Sequence, residues 1–355
     1  VTAFCLKLFA IAGICWAMLY FVSVLLRRFG VVDKPNARSS HDIPTVRGGG
    51  IVLVLVILVM MLWLAAGHQS YLVGLAVIFF GLAAISFWDD LRSLSPTFRF
   101  GAQVIAVASA LLWLKIIVPS DGTMAAADHI VFFVISFVWM LGYMNAFNFM
   151  DGINGLAGGQ ALVTALGTAI LAHLAGLSWT HPALFLALVV AAASAGLLPH
   201  NFPRAKVFMG DVGSVSLGFL LAVITVWIAC DTSWWLLPWL GLLHANFVLD
   251  TGITMVRRVA LGERWYEAHR EHFYQRLIRA GQSHQKVTLS EMALQGVVMV
   301  LLIAVQPTNW TGRIMAVVTV LLLWSGFFLY AEYTFRHACL GRMIKSTPDP
   351  RKAPL

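Results

Sequence analysis

Eleven apolar stretches run along this chain, and its positive charge collects in alternate gaps between them. Of the 24 Lys and Arg residues, only Lys7, Lys115 and Arg313 lie outside the first, third, fifth, seventh and ninth gaps and the C-terminal tail. About 20 apolar residues cross a bilayer as a helix, and Lys and Arg mark the side that is not translocated. The pattern predicts an all-α polytopic integral membrane protein. Its spans fall at roughly 4–26, 48–66, 71–88, 101–118, 129–145, 159–176, 182–198, 214–230, 234–254, 292–306 and 313–333. An odd number of spans with a basic tail (334–355) inside places the N-terminus outside. A soluble core of this size needs helices with polar faces, and these stretches have almost none. A composition 60% hydrophobic and 11% charged agrees.

The whole chain, 1–355, reads as one transmembrane domain with no repeat and no soluble module. The first span runs straight into Arg27-Arg28 with no Ala-x-Ala-like site, which predicts an anchor, not a cleaved leader. The net charge of +8 is carried by loop residues that face anionic headgroups, so no nucleic-acid partner is expected, and the bilayer itself is the first partner. Cys5, Cys15, Cys230 and Cys339 show neither metal nor redox spacing.

Every acidic motif lies on the positive side, in the loops 27–50, 89–100, 145–158, 199–213 and 256–290, which places the chemistry there. In the first loop, Arg38 and Arg47 precede Gly48-Gly49-Gly50, whose amides at a helix start are expected to stay open for phosphate. Asp89-Asp90 ends the third span. Adjacent carboxylates at the negative end of a helix dipole call for a cation, either Arg92 or a metal. The loop Asn145–Gly159 has no Lys or Arg but offers Asn145, Asn148, Asp151 and Asn154 on a Gly-rich backbone, suited to a nucleotide or a metal or, more plainly, to helix capping. The next loop brings Asn201, Arg204, Lys206 and Asp211, with Phe202 and Phe208 as stacking surfaces for a base. His269 and His272, three apart in a charged run from Glu263 to Arg279, are expected on one helical face and suit phosphate better than zinc.

Taken in order, Asp89-Asp90, Asn145-x-x-Asn148-x-x-Asp151-Gly152-x-x-Gly155-Leu156, Phe208-x-Gly210-Asp211-x-Gly213-Ser214 and His269-x-x-His272 resemble the polyprenyl-phosphate N-acetylhexosamine-1-phosphate transferases. The resemblance spans Asp33 to about Gly281. Pro35–Gly50 looks most like the bacterial O-antigen-initiating branch. It looks less like the related phospho-MurNAc-pentapeptide transferases, whose run of three histidines is missing. The resemblance implies a fold like theirs and a reaction: a UDP-N-acetylhexosamine gives its sugar 1-phosphate to undecaprenyl phosphate, releasing UMP and starting a lipid-linked O-antigen or related surface polysaccharide. It implies catalytic roles for Asp89, Asp90, Asp211, His269 and His272. Substrate contacts fall to Arg38, Arg47, Asn145, Asn148, Asp151, Asn201 and Lys206. Mg²⁺, with Mn²⁺ as a substitute, is implied on Asp90, Asp151 and Asp211. Asp89 is then expected near the lipid phosphate, by direct attack or through a covalent intermediate. Asn154 stands where the family often has Asp, and Ser39 or Ser40 where it has a basic residue. The expected location is the bacterial inner membrane with the site cytoplasmic; a homodimer is compatible but not specified. A secondary transporter is the alternative from another class, although the carboxylates sit at the rim and no internal symmetry is visible. A CDP-alcohol phosphatidyltransferase would need Asp-Gly-x-x-Ala-Arg, and Asp151-Gly152 continues as Ile-Asn-Gly-Leu.

Overall fold

Each of the eleven apolar stretches forms a helix in the computed structural model, which describes residues 2–33, 35, 43–67, 69–117, 126–264, 269–305 and 310–346. The helices are α1 (Thr2–Arg28), α2 (Gly50–Ala66), α3 (Leu72–Arg92), α4 (Pro96–Ile117), α5 (Ala126–Phe149), α6 (Leu156–Leu174), α7 (Pro182–Asn201), α8 (Asp211–Asp231), α9 (Leu236–Gly241), α10 (Ala245–Ala260), α11 (Phe273–Arg279), α12 (His284–Val305) and α13 (Trp310–Ser346). The ninth stretch contains both α9 and α10. With those two counted as one run, ten among the described residues are long and apolar enough to cross a membrane, and α2 falls just short at 17 residues. A two-residue ribbon, β1 (Val32–Asp33) against β2 (Thr45–Val46), is the only sheet among the described residues.

Position in the bundle follows from sequence. A helix apolar all round must be surrounded, and the most apolar 18-residue window of α8, with a mean hydropathy of 2.2, is entirely buried. The same window in α1 is only 17% buried, so α1 lies at the periphery and presents its apolar surface outward. Small residues let neighbouring helices approach closely. A Cβ on Gly50 would fall 2.3 Å from the Cα of Gly213, so this glycine pair lets the first turns of α2 and α8 meet backbone to backbone.

That contact changes the reading of the triple glycine. The amides expected to stay open are used: Gly49 N–H donates to the carbonyl of Phe208 (2.9 Å) and Gly50 N–H to that of Met209 (2.8 Å). Val46 also bridges Val207, and Phe208 N–H donates to the Val46 carbonyl at 2.7 Å. The first loop and the loop before α8 are thus zipped together, which brings Arg47 to the start of α8.

The ninth span, expected as one helix, is broken by a 3-10 turn at Leu242–His244. Irregular backbone inside a bilayer survives where protein groups satisfy it. Here the freed carbonyl of Leu243 accepts from Gln160 Nε2 (3.1 Å), from Thr164 Oγ1 (3.5 Å) and from Gln295 Nε2. The last helix continues beyond its expected end at 333 to Ser346, so part of the basic tail is helical, with an Arg336–Glu332 pair one turn apart (2.7 Å).

Candidate active site

The end of α3, the start of α4 and the start of α8 meet at the positive rim, and their charges interlock. Arg47 Nε lies 2.8 Å from Asp90 Oδ1, and its Nη2 lies 3.1 Å from Asp211 Oδ1. Arg99 Nη1, from the first turn of α4, lies 2.8 Å from Asp89 Oδ2 and 3.4 Å from Asp211 Oδ2. Asp89, Asp90 and Asp211 therefore converge. Among the side chains, the compensating cations are Arg47 and Arg99, not the Arg92 that the sequence suggested.

The two adjacent carboxylates have different tasks. Asp90 caps α8, accepting the amides of Asp211 and Val212 at 2.9 Å each. An anion there complements the positive end of the α8 dipole, an effect of roughly 0.3–1 kcal/mol at exposed termini and more where shielded. Gly210 makes this possible: it adopts φ 73°, and a Cβ on it would fall 2.7 Å from Asp90 Oδ2. Asp89 closes the loop after α3 instead, accepting the Leu94 amide at 2.6 Å. Its second oxygen, on Arg99, faces Asp211.

Asp151 completes the acidic set. Unlike the other three, it has no hydrogen-bond or ion-pair partner for its side chain among the described residues. Burial raises its pKa well above the usual carboxylate range, and repulsion from Asp211 adds to this. Arg47 shows the reverse. Burial works against its charge, but Asp90, Asp211 and Asp33 more than offset it, so its pKa is raised. No group of three His, Cys, Asp or Glu side chains is already arranged as a closed metal cage among the described residues. A hard cation that keeps several waters needs only one or two carboxylates plus substrate phosphate. Asp211 and Asp151 meet that requirement: one is held by displaceable guanidinium groups and the other is free. On this set Asp90 is the weaker candidate ligand, since its oxygens are taken by backbone and Arg47.

The Gly-rich loop of residues 145–158 lies against this cluster. Asn148 Oδ1 accepts from Ser214 Oγ (2.7 Å), tying the loop to α8. Asn145 lies deeper and bonds Gln103 Oε1 at 3.0 Å. Asn201 is buried and braces backbone, accepting from Gly155 N–H (2.7 Å) and donating to the Val207 carbonyl (2.8 Å). Asn154 is also a brace, donating to the Pro203 carbonyl at 3.1 Å. Phe202 packs over Gly155, where a Cβ would fall 2.7 Å from its ring. Lys206 lies away from the carboxylates, in a groove between α1 and α7. Arg38, like Ser39 and Ser40, lies outside the described residues.

The histidines are neighbours, with ring centroids 4.9 Å apart, but not on one helix as expected. His269 precedes α11 and His272 is its N-cap. The cause is Asp250 on α10. Buried within the bundle, it takes His272 Nδ1 (3.0 Å) and the amide of Phe273 (3.1 Å) on one oxygen and the amide of Tyr274 (3.3 Å) on the other. Tyr274 then donates to the Phe149 carbonyl at 3.0 Å, and Gly152 has no room for a Cβ beside that hydroxyl. The histidine segment and the Gly-rich loop are thus one packed unit. Burial, with repulsion from His272 and Arg258, pushes His269 down to about 4. Glu271 is held below its ordinary value despite burial, because Arg279 and Arg276 bond it.

Sequence reasoning missed Arg99 and Asp250. Arg99 was one of many rim cations. Asp250 did carry a signal, as an acid within an otherwise apolar span.

A model of glycosyl transferase family 4 matches residues 71–229, which include the rim acids and the Gly-rich loop. The chain is 32% identical to the decaprenyl-phosphate N-acetylglucosaminephosphotransferase of Mycolicibacterium smegmatis over 321 residues, 80% of this chain and 79% of that one. It is 27% identical to a probable undecaprenyl-phosphate N-acetylglucosaminyl 1-phosphate transferase of Bacillus subtilis, over 74% of each chain. It is 32% identical to the phospho-N-acetylmuramoyl-pentapeptide-transferase of Streptococcus thermophilus, over 63% of this chain and 68% of that one.

Proposed function

The chain belongs to glycosyl transferase family 4, and from that premise we propose that it moves an N-acetylhexosamine 1-phosphate from a UDP-sugar to undecaprenyl phosphate at the rim cluster around Asp211. The relatives are sugar-phosphate transferases, which sets the transporter alternative aside. The observation that carries the site assignment is the convergence of Asp89, Asp211, Arg47 and Arg99 at a membrane rim, with the unpartnered Asp151 alongside. The reading includes Mg²⁺, a bacterial plasma membrane and a cytoplasmic site.

In this reaction a lipid phosphate oxygen bonds to the β-phosphorus of the UDP-sugar, and the bond from that phosphorus to the bridging oxygen breaks. UMP leaves with the bond's electron pair. Phosphoryl transfer depends mostly on positioning and on neutralising charge. Asp211 and Asp151 would hold Mg²⁺, which supplies Lewis-acid neutralisation of the diphosphate when bound. Arg47 and Arg99, paired to carboxylates, are placed to exchange those partners for phosphate oxygens. Asp89 is at the headgroup level, where it can orient or deprotonate the lipid phosphate. Asp90 acts through the fold, holding the first turn of α8 so that Asp211 points into the cluster. His269 and His272 offer imidazole groups to a phosphate on the far side of the Gly-rich loop.

The test is transfer of label from a panel of UDP-N-acetylhexosamines into lipid, using protein purified in detergent with undecaprenyl phosphate and Mg²⁺. Metal-dependent transfer with UMP release, lost in Asp89→Asn and Asp211→Asn, supports the reading. A folded preparation that transfers no sugar from any donor sinks it. Mn²⁺ binding followed by electron paramagnetic resonance, without turnover, tests the ligand set: Asp151→Asn and Asp211→Asn should weaken it, and Asp90→Asn should weaken it less.

A further inference from the structure

Away from the carboxylates, an open groove of about 910 Å³ runs between α1 and α7, lined by Trp16, Tyr20, Val24, Arg27, Arg28 and Lys206 among others. We propose that this groove is a binding site for one anionic glycerophospholipid, its phosphate held by Arg27, Arg28 and Lys206 and its acyl chains lying along Trp16, Tyr20 and Val24.

Four features carry the inference. First, the three cations lack counter-ions. Arg47, Arg99, Arg258, Arg276, Arg279 and Arg336 each pair with a carboxylate, whereas Arg27, Arg28 and Lys206 have no acidic partner among the described residues. No Asp or Glu lines the groove. Neighbouring like charges repel, and a phosphate supplies what the protein omits.

Second, the dimensions suit a lipid. Trp16, Tyr20, Val24 and Arg28 recur every four residues and so share a face of α1. From Trp16 to Arg28 a helix rises about 18 Å, close to half the ~30 Å hydrocarbon core. The stripe therefore covers one leaflet, with its charge at one end. Third, that face looks outward: Trp16 is 51% and Tyr20 58% exposed on the side of the bundle. A nucleotide would need polar walls; hydrocarbon needs these.

Fourth, the floor is preformed. Cys15 Sγ donates to the Ala193 carbonyl (3.3 Å), and His200 Nε2 lies 3.0 Å from the carbonyl of Trp16. Gly196 allows the close approach, since its Cβ would fall 2.5 Å from the Ala12 carbonyl oxygen. Trp16 and His200, which make that contact, also line the groove. None of the rim carboxylates lines it, so the occupant is a bound lipid that does not react.

The experiment needs no turnover. Protein purified in a neutral detergent is titrated with phosphatidylglycerol or phosphatidylcholine, and bound lipid is counted by native mass spectrometry. Three cations near an anionic headgroup should give phosphatidylglycerol about a hundredfold preference. The variant Arg27→Gln/Arg28→Gln/Lys206→Gln should lose most of it. A charge-matched control, Arg92→Gln/Arg204→Gln/Lys286→Gln, should keep it. If the groove triple does not fold, Lys206→Gln alone should lower the preference several-fold, and Trp16→Ala should weaken both lipids. Equal loss in groove and control variants would overturn the proposal in favour of diffuse attraction. One-for-one displacement of phosphatidylglycerol by undecaprenyl phosphate would overturn it in favour of an acceptor site.

Discussion

At the scale of single residues, the rim shows how backbone and charge constrain each other. Gly210 takes a left-handed φ and leaves space for Asp90, so Gly210→Ala should disturb both. The expected loss is about 1–3 kcal/mol of stability, the usual cost of a strained backbone position, read as a lower melting temperature, together with reduced transfer activity. Asp211→Asn keeps the size and one acceptor oxygen but removes the charge and turns the other oxygen into a donor facing an arginine. If it holds the metal, activity should fall a hundredfold or more, since Lewis-acid stabilisation amounts to several kcal/mol, with the melting temperature unchanged or raised by relief of crowding among the acids. His269 supplies a pH dependence. Its Nδ1 accepts the Glu271 amide at 3.3 Å, and its pKa is pushed from 6.5 to about 4. The unfolded chain therefore binds the proton first, so this group's share of stability is complete above pH 6.5 and is lost as pH falls toward 4. Thermal unfolding of wild type between pH 7 and 4 should show that slope, and His269→Gln should flatten it. The acids of this site were legible because carboxylates at the edges of apolar spans stand out. Arg99 was not, because a linear pattern cannot tell a loop cation that turns inward from one left in solvent. Gly49 and Gly50 were seen but given the wrong task, since close approach of two backbones leaves no mark in one segment read by itself.

At the scale of elements, the interrupted ninth span is the clearest departure from hydropathy. A sliding window averages across Leu236–Ala260, so a break of three residues disappears into it. Pro238, Gly241, His244, Asn246 and Asp250 mark the break; His244 meets α8, Asn246 meets α6, Asp250 meets the start of α11, and the freed Leu243 carbonyl meets α6 and α12, all out of reach of local reading. Gln160 and Gln295 converge on the Leu243 carbonyl, and Gln160 Oε1 also accepts from Asn246 Nδ2 at 2.9 Å. Replacing Gln160 by Leu removes one donor and leaves the Asn246 amide unpaired. Such buried losses cost about 1–3 kcal/mol each, so Gln160→Leu should lower the melting temperature well beyond Gln160→Glu at a pH that keeps the acid protonated. If the two variants melt together, the polar network contributes nothing that packing does not. The break also aims α10 so that Asp250 reaches the start of α11, linking an intramembrane irregularity to the histidine segment.

At the scale of the whole molecule, charge distribution and fold make the same statement. Eleven apolar stretches became helices at nearly the expected places, because the need to span hydrocarbon is stronger than any local preference. The rim acids, the Gly-rich loop and the histidine segment then gather at one end of the bundle. The loop between α6 and α7, residues 175–181, carries no Lys or Arg and lies at the opposite end from Asp211, one crossing away from the Gly-rich loop. If the basic side faces the cytoplasm, the two ends should differ in reach from outside the cell. Four cysteines occur in the chain, so the experiment starts by replacing Cys5, Cys15, Cys230 and Cys339, then introduces Ser178→Cys or Lys286→Cys. Both positions are on the surface of the described structure, Ser178 in the loop and Lys286 in the first turn of α12. A membrane-impermeant maleimide applied to intact cells should label the first and not the second, and permeabilised cells should show both. The reverse labelling would place the site outside the cell, where UDP-sugars are not supplied, and would force a different donor. Equal labelling in intact cells would overturn the three crossings, α7, α8 and the α9–α10 run, counted between the two loops. The distribution of 21 cations predicts the orientation that this labelling tests, and with it the compartment that supplies the nucleotide sugar.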